Sequence, residues 1–178
     1  MNLPRIVERL ARLLAIAGGI VLATLTVLVV VSITGRALLT FGFGFGPVPG
    51  DFELVEAGTG FAVFAFLPWC QLKRGHATVD LFTNMLSPGA NRIIDLVTEI
   101  LMTLVLGLIA WRLYAGTVDK FNYGETTFIL QFPVWWPLAA ALVAAVIAVV
   151  VSLYLTVIRV VEVKTGRAIL APAEGVIH

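Results

Sequence analysis

From Leu13 to Gly35 the chain carries no charged residue. That run is about 23 residues, or roughly 35 Å as a helix, enough for one tilted bilayer crossing. Valine and isoleucine are abundant in it, and in water they would favour a strand. In lipid the backbone must satisfy its own hydrogen bonds, so a lone apolar segment is a helix whatever its propensities. A second uncharged run extends from Thr126 to Ile158. With 60% hydrophobic and 13% charged residues, the chain could not cover itself with polar groups in water. The net charge of +1 offers nothing to a nucleic acid.

Two further crossings are shorter and end in charges. The stretch from Pro47 to Asp80 has Asp51, Glu53 and Glu56 at its front and Lys73, Arg74 and His76 at its back. Another apolar stretch follows from Ile93, with Glu99 early and Arg112 late. The expectation is an all-α integral membrane protein forming a single membrane domain over 1–178. Its spans are expected near 13–36, 52–72, 93–115 and 134–158. Loops are expected over 37–51 and 116–133, and a connection over 73–92. Pro68 falls inside the second span and predicts a kink there. Asp51 is placed to act as N-cap, with Glu53 and Glu56 in the turns where the helix dipole favours anions.

The connecting segments are short and interfacial. Residues 1–12 place Arg5, Arg9 and Arg12 at helical spacing with Ile6 and Leu10 between them, a basic amphipathic turn suited to a headgroup surface. Its apolar continuation is too long for a signal peptide and lacks a cleavage pattern, so it is read as a retained anchor. The glycines of FGFGFGPVPG, 41–50, do not make a nucleotide loop, because Pro47 stands where the third glycine belongs. An interfacial turn with aromatics fits better. A short surface helix is expected over 77–86. The tail after Arg159 reads as polar and frayed.

Nine of the twelve Lys and Arg fall on one side of this frame. They are Arg5, Arg9 and Arg12, then Lys73, Arg74 and Arg92, then Arg159, Lys164 and Arg167. The positive-inside rule places that side, with both termini, in the cytoplasm. Trp69 and Tyr154 at one level and Trp111, Tyr114, Trp135 and Trp136 at the other form a two-sided aromatic belt.

The polar residues near the spans suggest structure more than chemistry. Arg36, Glu53, Glu56, Glu99 and Arg112 all lie toward span ends, where snorkelling is available. Arg36 is at the depth of Glu53 and Glu56, so a pair with either is a candidate contact. His76 and Asp80, at i and i+4, are too few for a metal site. They serve better as a loop contact or a subunit contact, together with Lys73 and Arg74. Cys70 has no disulfide partner, as it is the chain's one cysteine. No nucleophile elbow, phosphate loop or catalytic dyad is evident, so no enzyme is expected.

In order along the chain, Gly35-Arg36 closes the first span and Pro49-Gly50, Glu53-Leu54 begins the second. Gly75-His76, Val79-Asp80 follows it, and Pro133 with Trp135 and Trp136 opens the fourth. This set resembles the DctQ-like small membrane subunit of tripartite ATP-independent periplasmic (TRAP) transporters over about residues 10–160. The resemblance implies a multi-pass protein of the bacterial inner membrane that scaffolds a larger membrane subunit. That large subunit would hold the substrate and sodium sites. A periplasmic binding protein would deliver an organic acid, and a sodium gradient would drive uptake. No cofactor is implied on this chain itself; Na+ belongs to the complex. Two other readings stand beside it: a stand-alone four-helix exporter using Glu99 or Glu56, and a membrane assembly protein without a transport role.

Overall fold

The computed structural model describes residues 3–42, 44–73 and 88–166. Four helices make up its regular structure: α1 Leu3–Thr40, α2 Asp51–Leu72, α3 Pro88–Tyr123 and α4 Trp135–Thr165. Each is long and apolar enough to cross a membrane. The chain alternates direction, so two ends can be distinguished. The loop end carries the connections 41–50 and 124–134. The terminal end carries the start of α1 and the end of α4.

The helices stand in the order α1, α2, α4, α3. Close packing joins α1 to α2, α2 to α4 and α4 to α3, whereas α1 barely meets α4 and α3 packs closely on α4 alone. The sequence accounts for this order. One face of α4 carries Ala141, Ala144, Ala145, Ala148 and Ser152, all buried. Small side chains let a neighbouring backbone approach, which is how helices associate when lipid removes the hydrophobic drive. Gly18 plays that part between α1 and α2, where a Cβ would lie 3.0 Å from Ala65 Cβ; Gly19 faces open space. The outer faces of α1 and α3 remain apolar and exposed, as with Val27, Val30, Leu104 and Leu108.

Three of the four helices are longer than the sequence suggests. The basic segment 3–12 is part of α1 rather than a separate surface turn. Its Val7 and Ala11 are buried, and Val7 packs with Val151 and Leu155 of α4. The third helix continues from 115 to Tyr123. The fourth continues past Arg159 to Thr165, correcting the expected frayed tail. The reason is that Arg159 and Glu162 are buried and paired. It stops at Gly166 with φ 68°, whose N–H donates to the Glu162 carbonyl at 2.9 Å.

Helix α2 does not start as expected. Gly50, not Asp51, is its N-cap, in the left-handed region at φ 73°. A Cβ at Gly50 would lie 2.4 Å from Leu130 Cγ, so glycine answers both the backbone conformation and the loop pressed against it. Pro68 is inside the helix, buried, and the helix runs on to Leu72. The expected surface helix over 77–86 lies outside the described residues.

Candidate functional site

Two polar regions stand at opposite ends of the bundle. At the loop end, the connection 44–50 is fastened to α1. Gly35 permits this, since a Cβ there would lie 2.2 Å from the Gly46 carbonyl oxygen. Ser32, 1% exposed, donates its hydroxyl proton to Asp51 Oδ2 and accepts from the Val48 N–H at 3.2 Å. Asp51 Oδ1 accepts from the Phe52 N–H at 2.9 Å. Arg36 lies 4.0 Å from Asp51 Oδ2, with its side chain 58% exposed. Its nearest carboxylate is therefore Asp51, not the expected Glu53 or Glu56, and at that distance and exposure the pair is weak.

Glu53 is engaged elsewhere. Its two carboxylate oxygens accept the N–H groups of Ile129 at 2.6 Å and Leu130 at 2.9 Å. The loop they hold is a short hairpin, closed by Thr127 N–H to Phe132 O at 2.9 Å and Val134 N–H to Glu125 O at 3.0 Å. Gln131 at its tip has φ 53°, a conformation costly to a residue with a Cβ. A carboxylate accepting two successive N–H groups is a strong clamp, and it fixes this tip with Phe128 almost wholly exposed. Glu56, one turn further along α2, points at an open groove and is exposed.

The second region is a buried polar ladder in the half nearer the terminal end. Gln71, 4% exposed, donates from Nε2 to Glu99 Oε1 at 2.7 Å and to Ser152 Oγ at 2.8 Å. Thr103 donates to the Glu99 carbonyl at 2.9 Å. Its oxygen lies 2.6 Å from Ser152 Oγ and 2.9 Å from Thr156 Oγ1. Thr103 has a single proton and gives it to the carbonyl, so Ser152 and Thr156 are the donors in those two contacts. Every hydroxyl in the ladder thus has a role, and three helices are joined. Nearer the terminal end, Arg159 reaches Glu162 at 2.7 Å and Asp95 at 3.1 Å. Arg159 and Glu162 are buried.

This ladder is what reading the sequence missed. Glu99 was expected to snorkel, and instead it accepts from Gln71 inside the bundle. A signal exists in the spacing. Glu99 and Thr103, Ser152 and Thr156 are i, i+4 pairs, and Arg159 and Glu162 are i, i+3, so each pair lies on one helix face. Of the expected contact residues, Lys73 sits with Nζ 5.2 Å from the centre of the Trp69 ring, a cation–π distance. Arg74, His76 and Asp80 lie outside the described residues. No group of three or more His, Cys, Asp or Glu suited to a metal occurs among the described residues.

All four helices run without interruption. Among the described residues their buried polar side chains bond largely to one another, an arrangement that holds helices together. Residues 25–162 match the family described as tripartite ATP-independent periplasmic transporters, DctQ component. No curated protein and no solved structure matches the chain.

Proposed function

The chain belongs to the DctQ component family of tripartite ATP-independent periplasmic transporters, and from that premise we propose that it is a scaffold for the large membrane subunit and not itself a carrier. The observation that carries this reading is the fate of the membrane-depth polar groups. A carrier of organic anions needs broken helices or cationic groups aimed at a mid-membrane cavity. Here the helices are continuous, and Gln71, Glu99, Thr103 and Ser152 bond to one another. The open row of helices supports the same reading, because the edge helices α1 and α3 each offer a long apolar face to a neighbour.

The rest of the proposed function follows the family. Substrate and sodium bind in the large subunit, a sodium gradient drives uptake of an organic acid, and a periplasmic protein delivers it. The protein resides in the bacterial inner membrane with both termini cytoplasmic, which the distribution of Lys and Arg supports. The loop end then faces the periplasm, and the Glu53-clamped hairpin is among the surfaces available to the binding protein. The test is purification of the tagged chain from its native membrane in mild detergent. The expected result is a stable complex with a much larger multi-span polypeptide. Recovery of the chain alone, at any expression level, contradicts the proposal.

A further inference from the structure

Helices α2 and α3 both pack on α4 and leave a groove between them at the loop end. Its volume is about 560 Å³. The floor is Ala141 of α4, the walls include Gly60 and Phe64 of α2 and Leu113 of α3, and the rim carries Glu53 and Glu56. We propose that this groove binds one phospholipid with a primary ammonium headgroup, its acyl chain along Gly60 and Phe64 and its ammonium on Glu56.

Three observations carry the proposal. The first is depth. From Glu53 to Phe64 is 11 residues, or about 16 Å of helix rise, roughly half of the ~30 Å hydrocarbon thickness. The groove is therefore one leaflet deep. Below it, the bond from Gln71 to Glu99 joins α2 to α3. Its rim is level with the aromatic set Phe121, Trp135 and Trp136, whose rings stack edge to face where headgroups lie.

The second is charge. Both oxygens of Glu53 are taken by the N–H groups of Ile129 and Leu130. Glu56 has no hydrogen bond or ion pair among the described residues. A carboxylate at headgroup level beside an apolar slot suits an ammonium that can donate to it. It repels an anionic headgroup, and a quaternary ammonium cannot donate to it at all. The third is shape. Gly60 fronts open space, with nothing within 4 Å of where its Cβ would be. A side chain added there starts from open space at the groove lining.

The inference rests on the bilayer placement of the helices and not on the transporter reading. The full-length chain is assembled in nanodiscs of equimolar phosphatidylethanolamine, phosphatidylcholine and phosphatidylglycerol. It is then released in mild detergent, and retained lipids are counted by native mass spectrometry. Wild type is expected to retain phosphatidylethanolamine about tenfold over the other two, the size of one charge-assisted hydrogen bond. Glu56→Gln brings phosphatidylethanolamine down to the phosphatidylcholine level, and Gly60→Leu loses all retained lipid. Undiminished retention in either variant, or phosphatidylglycerol held as well as phosphatidylethanolamine, overturns the proposal.

A readout on the unaltered chain guards against a variant that misfolds. Acyl-brominated phosphatidylethanolamine should quench tryptophan fluorescence more than the matching phosphatidylcholine, because Trp135 and Trp136 sit beside the groove; equal quenching counts against it. A photocrosslinker at position 60 should capture lipid in native membranes. Capture of a membrane polypeptide there shows that the groove belongs to a protein partner and sinks the inference.

Discussion

The two ends of the α2, α3, α4 unit solve opposite problems. Toward the terminal end, the space between α2 and α3 is closed by side chains that hydrogen-bond across three helices. Toward the loop end, the same two helices stand apart over α4 and the space is open. The difference lies in a few residues. Gln71 and Glu99 are long enough to meet across the gap, whereas Ala57 and Gly60 are too short to cross it. Closure comes from polar side chains that would be costly in hydrocarbon if unpaired. Openness comes from small side chains with nothing to lose. One end is therefore built to stay fixed, and the other to receive something.

The largest way to break this contrast is at Arg159. Replacing it with leucine removes the guanidinium that Glu162 and Asp95 share, and removal of one partner of a buried pair costs about 3–5 kcal/mol. The unfolding midpoint in detergent should fall sharply. The double replacement Arg159→Leu, Glu162→Leu should recover most of the loss, since an apolar pair needs no compensation. No recovery would mean that Asp95, half-exposed beside Arg159, needs the cation as much as Glu162 does.

A smaller effect is expected at Gln71. Gln71→Leu removes the donor to both Glu99 and Ser152, and interhelical bonds of this kind contribute about 1–2 kcal/mol at most. The same replacement logic applied at Gly60 should not destabilise, because no bond crosses there. If Gly60→Leu lowers the unfolding midpoint as much as Gln71→Leu, the loop-end groove is packed and not open.

Local rather than global change is predicted at Glu53. Glu53→Gln keeps one acceptor oxygen of the two, so one backbone N–H in the 129–130 pair loses its partner. Hydrogen exchange should speed up at Ile129 and Leu130 while α2 and α4 keep their protection. Exchange that rises throughout α2 would show that the clamp supports the helix and not only the hairpin. The smallest effect is expected from Arg36→Glu. The side chain is mostly exposed and only at the limit of ion-pair distance from Asp51, so folding should be unaffected. A marked loss of complex in the membrane without loss of folding would then mark Arg36 as a contact for a partner.

Four spans were legible in the sequence because long uncharged runs allow no other fold in lipid. Their ends were less so. Charges at Arg159 and Glu162 read as the start of a solvated tail, because a sequence does not show that Asp95 of another helix lies alongside. At the start of α1, arginines at helical spacing gave the amphipathic helix, but they do not show that it runs unbroken into the first span or that Val7 packs on α4. At the candidate site, Arg36 was placed at the right depth and given the wrong partner. Asp51 precedes Glu53 by two residues and Glu56 by five, so the three carboxylates point in different directions around α2, and it is Asp51 that meets Ser32 and Arg36 of α1. That Glu53 would instead hold a hairpin 76 residues away depends on tertiary packing that no local pattern carries.

The central claim, that this chain holds a carrier and does not carry, is tested most directly by reconstitution. Proteoliposomes containing the chain alone are compared with ones that also contain the proposed large membrane subunit, supplied with the proposed binding protein, an organic acid and an inward sodium gradient. Uptake is predicted only with the complete set, and solute accumulation by the chain alone would contradict the account.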